Sequence, residues 1–321
     1  MSKINDLVNG NNSHDESVLA WCMCKIDECT KASCLSYPSI APYLLDAALQ
    51  DTSCTSVASV LVLYTGGTIG MRAIDGAYQP VPNYLVKSLL KMPTFNDPHF
   101  ERSRQRNSVP RASSQSLIQL DNVAQAGLDA SATPSNTTFV LPLTKNRRIF
   151  YSIAEYTPLL DSSDMTMDDW VRIARDIQSY YDLFDGFVVL HGTDTLAYTA
   201  SALSFMLENL GKPVVLTGSQ VPIFELFRGS RVVKCSSSEF HAFASPNYPV
   251  LAKFGTDLIF FPDLVFRPVG PQRTFTIHTE LCRDVAVLNM FPSIAAEHVA
   301  TYLAPPTKGK FHEMIASEKV G

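Results

Sequence analysis

A mostly parallel β-sheet with helices on both faces is the architecture that this 321-residue chain predicts. Three observations carry that expectation. Residues 57–64 (VASVLVLY), 187–191 (FVVLH) and 213–217 (PVVLT) are short, β-rich apolar runs, the pattern of strands buried on both faces. Helical periodicity fills the interval between the second and third runs and the stretch just before the second, and alternating strands and helices build parallel sheets. Each run ends in a glycine- and hydroxyl-rich turn, and open α/β sheets bind ligands beyond the carboxyl ends of their strands.

The composition is ordinary for a globular protein, with 46% hydrophobic and 18% charged residues. That excludes a fully disordered, collagen-like or disulfide-scaffold chain. A formal net charge of -5 provides no electrostatic footprint for nucleic acid or an anionic membrane, so neither is expected as a partner. No apolar run reaches the about 18 residues of a membrane span, and residues 1–17 are too polar for a secretory signal, so a cytoplasmic location is expected. Seven cysteines are present, four of them (Cys22, Cys24, Cys29 and Cys34) in a C-x-C-x4-C-x4-C spacing with no histidine among them. That matches no zinc pattern, and reduced thiols are the simpler expectation.

Along the chain, residues 1–56 read as a leader, with a hint of helix at 40–49. A domain is expected over 57–283, opening with the 57–64 strand and its turn Thr65-Gly66-Gly67-Thr68. Residues 101–136 are rich in Ser, Gln and Arg and read as a mobile loop. A strand is expected at 149–154. Thr166 to Asp169 form a T-x-x-D capping box, and Trp170, Ile173, Ile177 and Tyr181 then share one helical face. A second helix is expected over 196–210 with Gly211 as its terminator. After 283, a strand at 284–290 and a helix at 293–303 precede the end of the chain.

The strand-end turns are His191-Gly192-Thr193-Asp194-Thr195 after the second run and Thr217-Gly218-Ser219-Gln220 after the third. One such turn is no more than a tight bend, but three on one sheet suggest a site of backbone N–H donors and hydroxyl nucleophiles. The first turn lacks the G-x-G-x-x-G of dinucleotide binders and the G-K-[ST] of phosphate loops, which argues against nucleotides. His191 is read as hydrogen-bonded beneath its turn rather than as a base.

These motifs resemble the bacterial-type L-asparaginase family, and most closely its cytosolic branch, which includes the asparaginase domain of the 60 kDa lysophospholipase-like proteins. The residues that carry the likeness are Tyr64-Thr65-Gly66-Gly67-Thr68-Ile69-Gly70-Met71, Asp161-Ser162-Ser163-Asp164-Met165, the two later turns, and Phe227-Arg228-Gly229-Ser230-Arg231-Val232-Val233-Lys234. The resemblance implies an amidohydrolase that converts L-asparagine to L-aspartate and ammonia through a threonine acyl-enzyme, with no metal or cofactor. It implies Thr68 as the nucleophile and Tyr78 on a flexible loop that closes the site. Thr193, Asp194 and Lys234 form a second catalytic group, Ser162 and Asp194 hold the substrate's α-carboxylate and α-amino groups, and Ser163 lines the same pocket. Intact relatives are expected to be homo-oligomers.

Two departures from the family pattern stand out. Between Gln220 and Lys234 the family carries about thirty further residues, roughly one helix–strand unit. Residues 284–321 correspond to only part of the family's smaller C-terminal α/β domain, so the second domain is expected to be incomplete. A catalytically impaired relative acting as a binding or regulatory partner is therefore the alternative to an active enzyme.

Overall fold

The computed structural model describes residues 39–40, 44–45, 48, 53–74, 76–100, 134–144, 146–218, 225–237, 239, 241–254, 258–267, 274–305 and 309–314. They fall into two compact units that divide between Ile277 and His278, six residues before the boundary expected from the sequence. Cys22, Cys24, Cys29 and Cys34 lie outside the described residues, as do residues 101–133 of the expected loop.

The first unit is built on a five-stranded sheet. Strand β1 (Ser56–Gly66) is followed by the hairpin β2 (Met71–Ile74) and β3 (Ala77–Pro80), and then by helix α1 (Tyr84–Leu89). Next come β4 (Pro134–Val140), β5 (Arg147–Leu160), α2 (Met167–Tyr180), β6 (Gly186–Leu190), α3 (Leu196–Met206), the short β7 (Leu207–Glu208) and β8 (Val214–Thr217). The sheet order is β4-β5-β1-β6-β8. Pairing is parallel except between β4 and β5, so the mostly parallel α/β class is right.

Every residue of β1 after Ser56 is buried, as its unbroken apolar run demands. Alternation assigns its side chains to two faces. Ala58, Val60, Val62 and Tyr64 cluster with Leu85 and Leu89 of α1. On the other face Val57 packs with Ile40, Leu44 and Ala48, whose spacing of four is helical. That part of the expected leader therefore belongs to the core.

Three expected boundaries move. Residues 134–136 belong to β4, where Pro134 pairs with Ala154, rather than to a loop. The strand expected at 149–154 runs from Arg147 to Leu160 and carries the chain up to Ser162. Helix α3 ends at Met206, not 210, because Asn209 adopts a left-handed φ of 57° and β7 pairs instead with β14 (Thr276–Ile277). The capping box of α2 does form: the Asp169 carboxylate accepts both the N–H and the hydroxyl of Thr166, each at 2.8 Å.

Beyond β8 the first unit continues in short strands: β9 (Glu225–Leu226), β10 (Val233–Lys234), β11 (Phe243–Ala244), β12 (Ala252–Phe254) and β13 (Leu258–Phe260). β12 pairs with β9 and β13, and β10 pairs with β11. Among the described residues no strand pairs with the outer edge of β8, whose first three residues are only half-buried. The second unit is a parallel pair, β15 (Val285–Met290) and β16 (Gly309–Met314), linked by α4 (Ala296–Leu303).

Candidate active site

The register of the sheet sets the site. Tyr64 pairs with both Glu155 and Leu190, and Leu190 pairs with Thr217, so these four residues form one row across the carboxyl ends of the strands. The first two glycine turns start immediately after that row, and the third starts within it at Thr217. The Thr65 hydroxyl donates to Leu190 O at 3.0 Å, and the His191 N–H donates to Thr217 O at 2.9 Å, which locks neighbouring turns together.

The turns then converge through close backbone contact. Gly67 has a φ of +88°, and a Cβ there would lie 2.7 Å from both Cα and N of Gly192. Gly192 in turn lies against Ser162, where an added Cβ would come within 2.7 Å of the serine Cβ. No other residue type tolerates that approach, which is the physical reason for glycine at both positions. The contact brings the backbone of Thr68, which opens the 3-10 turn Thr68–Gly70, beside the turn that carries Thr193 and Asp194.

Lys234 reaches the same place from β10. Its Nζ donates to Thr193 Oγ1 at 3.2 Å and forms an ion pair with Asp194 Oδ1 at 2.6 Å. The ammonium is therefore a donor to the Thr193 hydroxyl, and the hydroxyl keeps its own proton to pass on. Asp194 is well exposed and can share its carboxylate with a second cation, whereas the lysine side chain is largely covered. Ser162 is buried, while the exposed Ser163 turns its N–H and hydroxyl back to Asp161 Oδ1, at 2.9 and 3.0 Å. Tyr78 lies on β3, an antiparallel strand paired with β2, and is exposed.

Both ring nitrogens of His191 are committed beneath the turn. Gly192 O can only accept, so Nδ1 beside it is the donor nitrogen, and Nε2 of the neutral ring accepts the Thr199 hydroxyl at 2.8 Å, whose oxygen accepts from Trp170 Nε1–H at 3.0 Å. That assigns the imidazole proton to Nδ1, which donates to Gly192 O at 2.7 Å. Burial pushes the His191 pKa below its ordinary 6.5, against a smaller opposing effect of the Gly192 bond, and keeps the ring neutral.

Sequence reasoning gives Thr195 and Thr199 no role. Thr195 Oγ1 donates to Ser162 O at 2.6 Å and ties the Ser162 turn to the Asp194 turn. Its signal was the second hydroxyl of the H-G-T-D-T turn. Thr199 carries no such signal, because it reads as an ordinary helix residue until the fold places Trp170 and His191 beside it. Among the described residues there is no cluster of metal-ligating side chains, and no helix long and apolar enough to cross a membrane.

The family model for asparaginase, N-terminal, matches residues 59–226, which hold all three turns. The chain belongs to the asparaginase family. It is 35% identical over 283 residues to L-asparaginase 1 of Escherichia coli K12, covering 78% of this chain and 68% of that protein. It is 40% identical over 285 residues to an L-asparaginase of Dirofilaria immitis, and 37% identical over 289 residues to a mouse 60 kDa lysophospholipase. These alignments cover 78% and 80% of this chain but only 44% and 46% of the relatives, so it spans about half their length. The crystal structure of L-asparaginase I from Vibrio cholerae superposes with a TM-score of 0.57 at 31% identity, covering 81% of this chain and 72% of the other.

Proposed function

We propose that the chain hydrolyses the side-chain amide of L-asparagine, with Thr68 as nucleophile. The observation that carries this reading is the contact of Lys234 Nζ with both Thr193 Oγ1 and Asp194 Oδ1, on a turn packed glycine against glycine beside the turn of Thr68. The Thr68 oxygen attacks the amide carbon, and its proton passes through the Thr193 hydroxyl to the leaving nitrogen, which departs as ammonia. Water then attacks the resulting ester, releases L-aspartate and returns a proton to Thr68. Lys234, donating to Thr193, orients that hydroxyl. Backbone N–H groups of the glycine turns stabilise the oxyanion, each worth about 3 kcal/mol. Asp194 takes the substrate's α-ammonium group and Ser162 its α-carboxylate. Hydrolysis of this kind asks for no cofactor. The same reading makes asparagine the partner and a cytoplasmic location the expectation, with homo-oligomers expected of the intact relatives.

Ammonia release from asparagine tests the proposal. Thr68→Ala should abolish turnover and trapping of an acyl-enzyme. Thr193→Val and Lys234→Met should each lower kcat by about 100-fold or more, with thermal midpoints nearly unchanged because the lysine's ion pair is partly exposed. Full turnover in any of the three removes that residue from the mechanism.

The edge of β8, which no strand pairs among the described residues, favours a second reading, in which the chain binds the amino acid but turns it over poorly. Asparagine that raises the thermal midpoint of the purified chain while no ammonia appears would support it.

A further inference from the structure

We propose that Glu155 and Tyr64 anchor the two feet of the β2–β3 hairpin, and that Glu155 is thereby a positioning residue for Tyr78. What the hairpin closes over rests on the functional reading above. The hairpin leaves the 3-10 turn at Gly70 and returns through Pro80 to Asn83, the N-cap of α1. Between these ends Arg72, Ala73, Ile74, Tyr78 and Gln79 are exposed, so its attachment runs through the feet.

At the returning foot, Glu155 Oε1 accepts the Asn83 N–H at 2.8 Å, although 72 residues separate them. Asn83 has a left-handed φ of 58° and makes no side-chain cap of its own, so the carboxylate on β5 performs the capping. At the leaving foot, the Tyr64 phenol lies directly against Gly70, where an added Cβ would overlap its oxygen. Tyr64 and Glu155 are paired neighbours on parallel strands, so both project from the same face of the sheet. Tyr64 is wholly buried, and its phenol is kept neutral first by burial and then by the Glu155 charge. One row of the sheet therefore holds the start and the finish of the segment that carries Tyr78, beside the turn that carries Thr68.

Hydrogen exchange on the unmutated chain is the first test. The Asn83 amide should be protected more than about tenfold over its unstructured rate, as one hydrogen bond to a carboxylate implies. Exchange at the unstructured rate overturns the anchor, whatever any variant does. In Glu155→Leu that protection should vanish, and trypsin should cut after Arg72 about tenfold faster. Glu155→Gln keeps an acceptor oxygen and should restore most of the resistance, whereas equal cleavage of the Gln and Leu variants overturns the hydrogen-bond role. On asparagine, Glu155→Leu should raise KM several-fold, while a mere loss of folded protein lowers kcat and leaves KM alone. An unchanged KM in a turning-over variant rejects the positioning of Tyr78. If the parent chain protects Asn83 but releases no ammonia, the anchor stands and the asparaginase reading fails.

Discussion

The sheet over 56–217 and the stretch over 225–277 hold the site in different ways. In the first, β1 runs for 11 residues and ten of them are buried. In the second, β9, β10, β11 and β14 have two residues each, and Ala252 is the only buried residue among those described. Thr193 and Asp194 come from the first region and Lys234 from the second. The threonine turn is over-determined by steric contact and burial. The lysine depends on surface-type contacts: Gly229 pressed against Ser204 of α3, and Arg228 stacked over Tyr248 and Phe266 at 3.9 and 3.6 Å. A hydrogen bond between the two regions can therefore be lost from one side without disturbing the other.

The largest expected effect comes from breaking the rigid side. Gly67→Ala combines a left-handed φ with a Cβ inside contact distance of the Gly192 backbone, which cannot swing away. The cost should be about 3 kcal/mol or more, read as a drop in thermal midpoint. Gly76→Ala is the matched control: its φ is +82°, but nothing lies within 4 Å of the added Cβ. It should cost only about 1 kcal/mol. Equal losses at the two positions would show that the turns are not sterically coupled.

A smaller and more local effect is expected on the other side. Arg228 donates from Nη2 to Tyr248 Oη at 2.7 Å and to Leu264 O, besides its two ring contacts. Arg228→Leu removes about 1–2 kcal/mol of contacts at a half-exposed position. Hydrogen exchange should quicken over 225–277 and stay unchanged in β1, β5 and β6. Uniform acceleration across both regions would mean that they unfold as one unit, and the contrast would be wrong.

The same contrast explains what could be read from the chain. The buried strands were legible because burial on both faces forces a continuous apolar run, as in VASVLVLY. The site turns were legible because only glycine permits the Gly67–Gly192 approach, and their motifs match the asparaginase family. Strands of two residues carry no period, so β9 to β11 and β14 were invisible. The end of α3 was missed because Leu207 and Leu210 continue the apolar stripe, and the pairing of β7 with a strand 68 residues later overrides it. Glu155 was missed because a glutamate within a strand shows no capping role until Asn83 folds beside it.

The smallest effect tests whether pH sensitivity belongs to the buried side. The folded His191 has a pKa below 6.5, because burial penalises the imidazolium. In the unfolded chain it titrates near its ordinary value. Above that value both states hold a neutral ring, and the stability that His191 contributes is complete. As pH falls below 6.5 the unfolded chain takes up a proton that the folded chain refuses, so stability declines until the folded pKa is reached and then levels off. The slope from one such group is at most about 1.4 kcal/mol per pH unit. His191→Gln keeps a donor for Gly192 O and an acceptor for Thr199 but cannot titrate. Its thermal midpoint should therefore fall less between pH 7.5 and 5.5 than that of the parent, by about 1 kcal/mol once converted and by no more than about 1.4 kcal/mol. Parallel melting curves over that range would show that His191 is protonated in the folded turn, and with it that the donor order from Trp170 through Thr199 to Gly192 O is wrong.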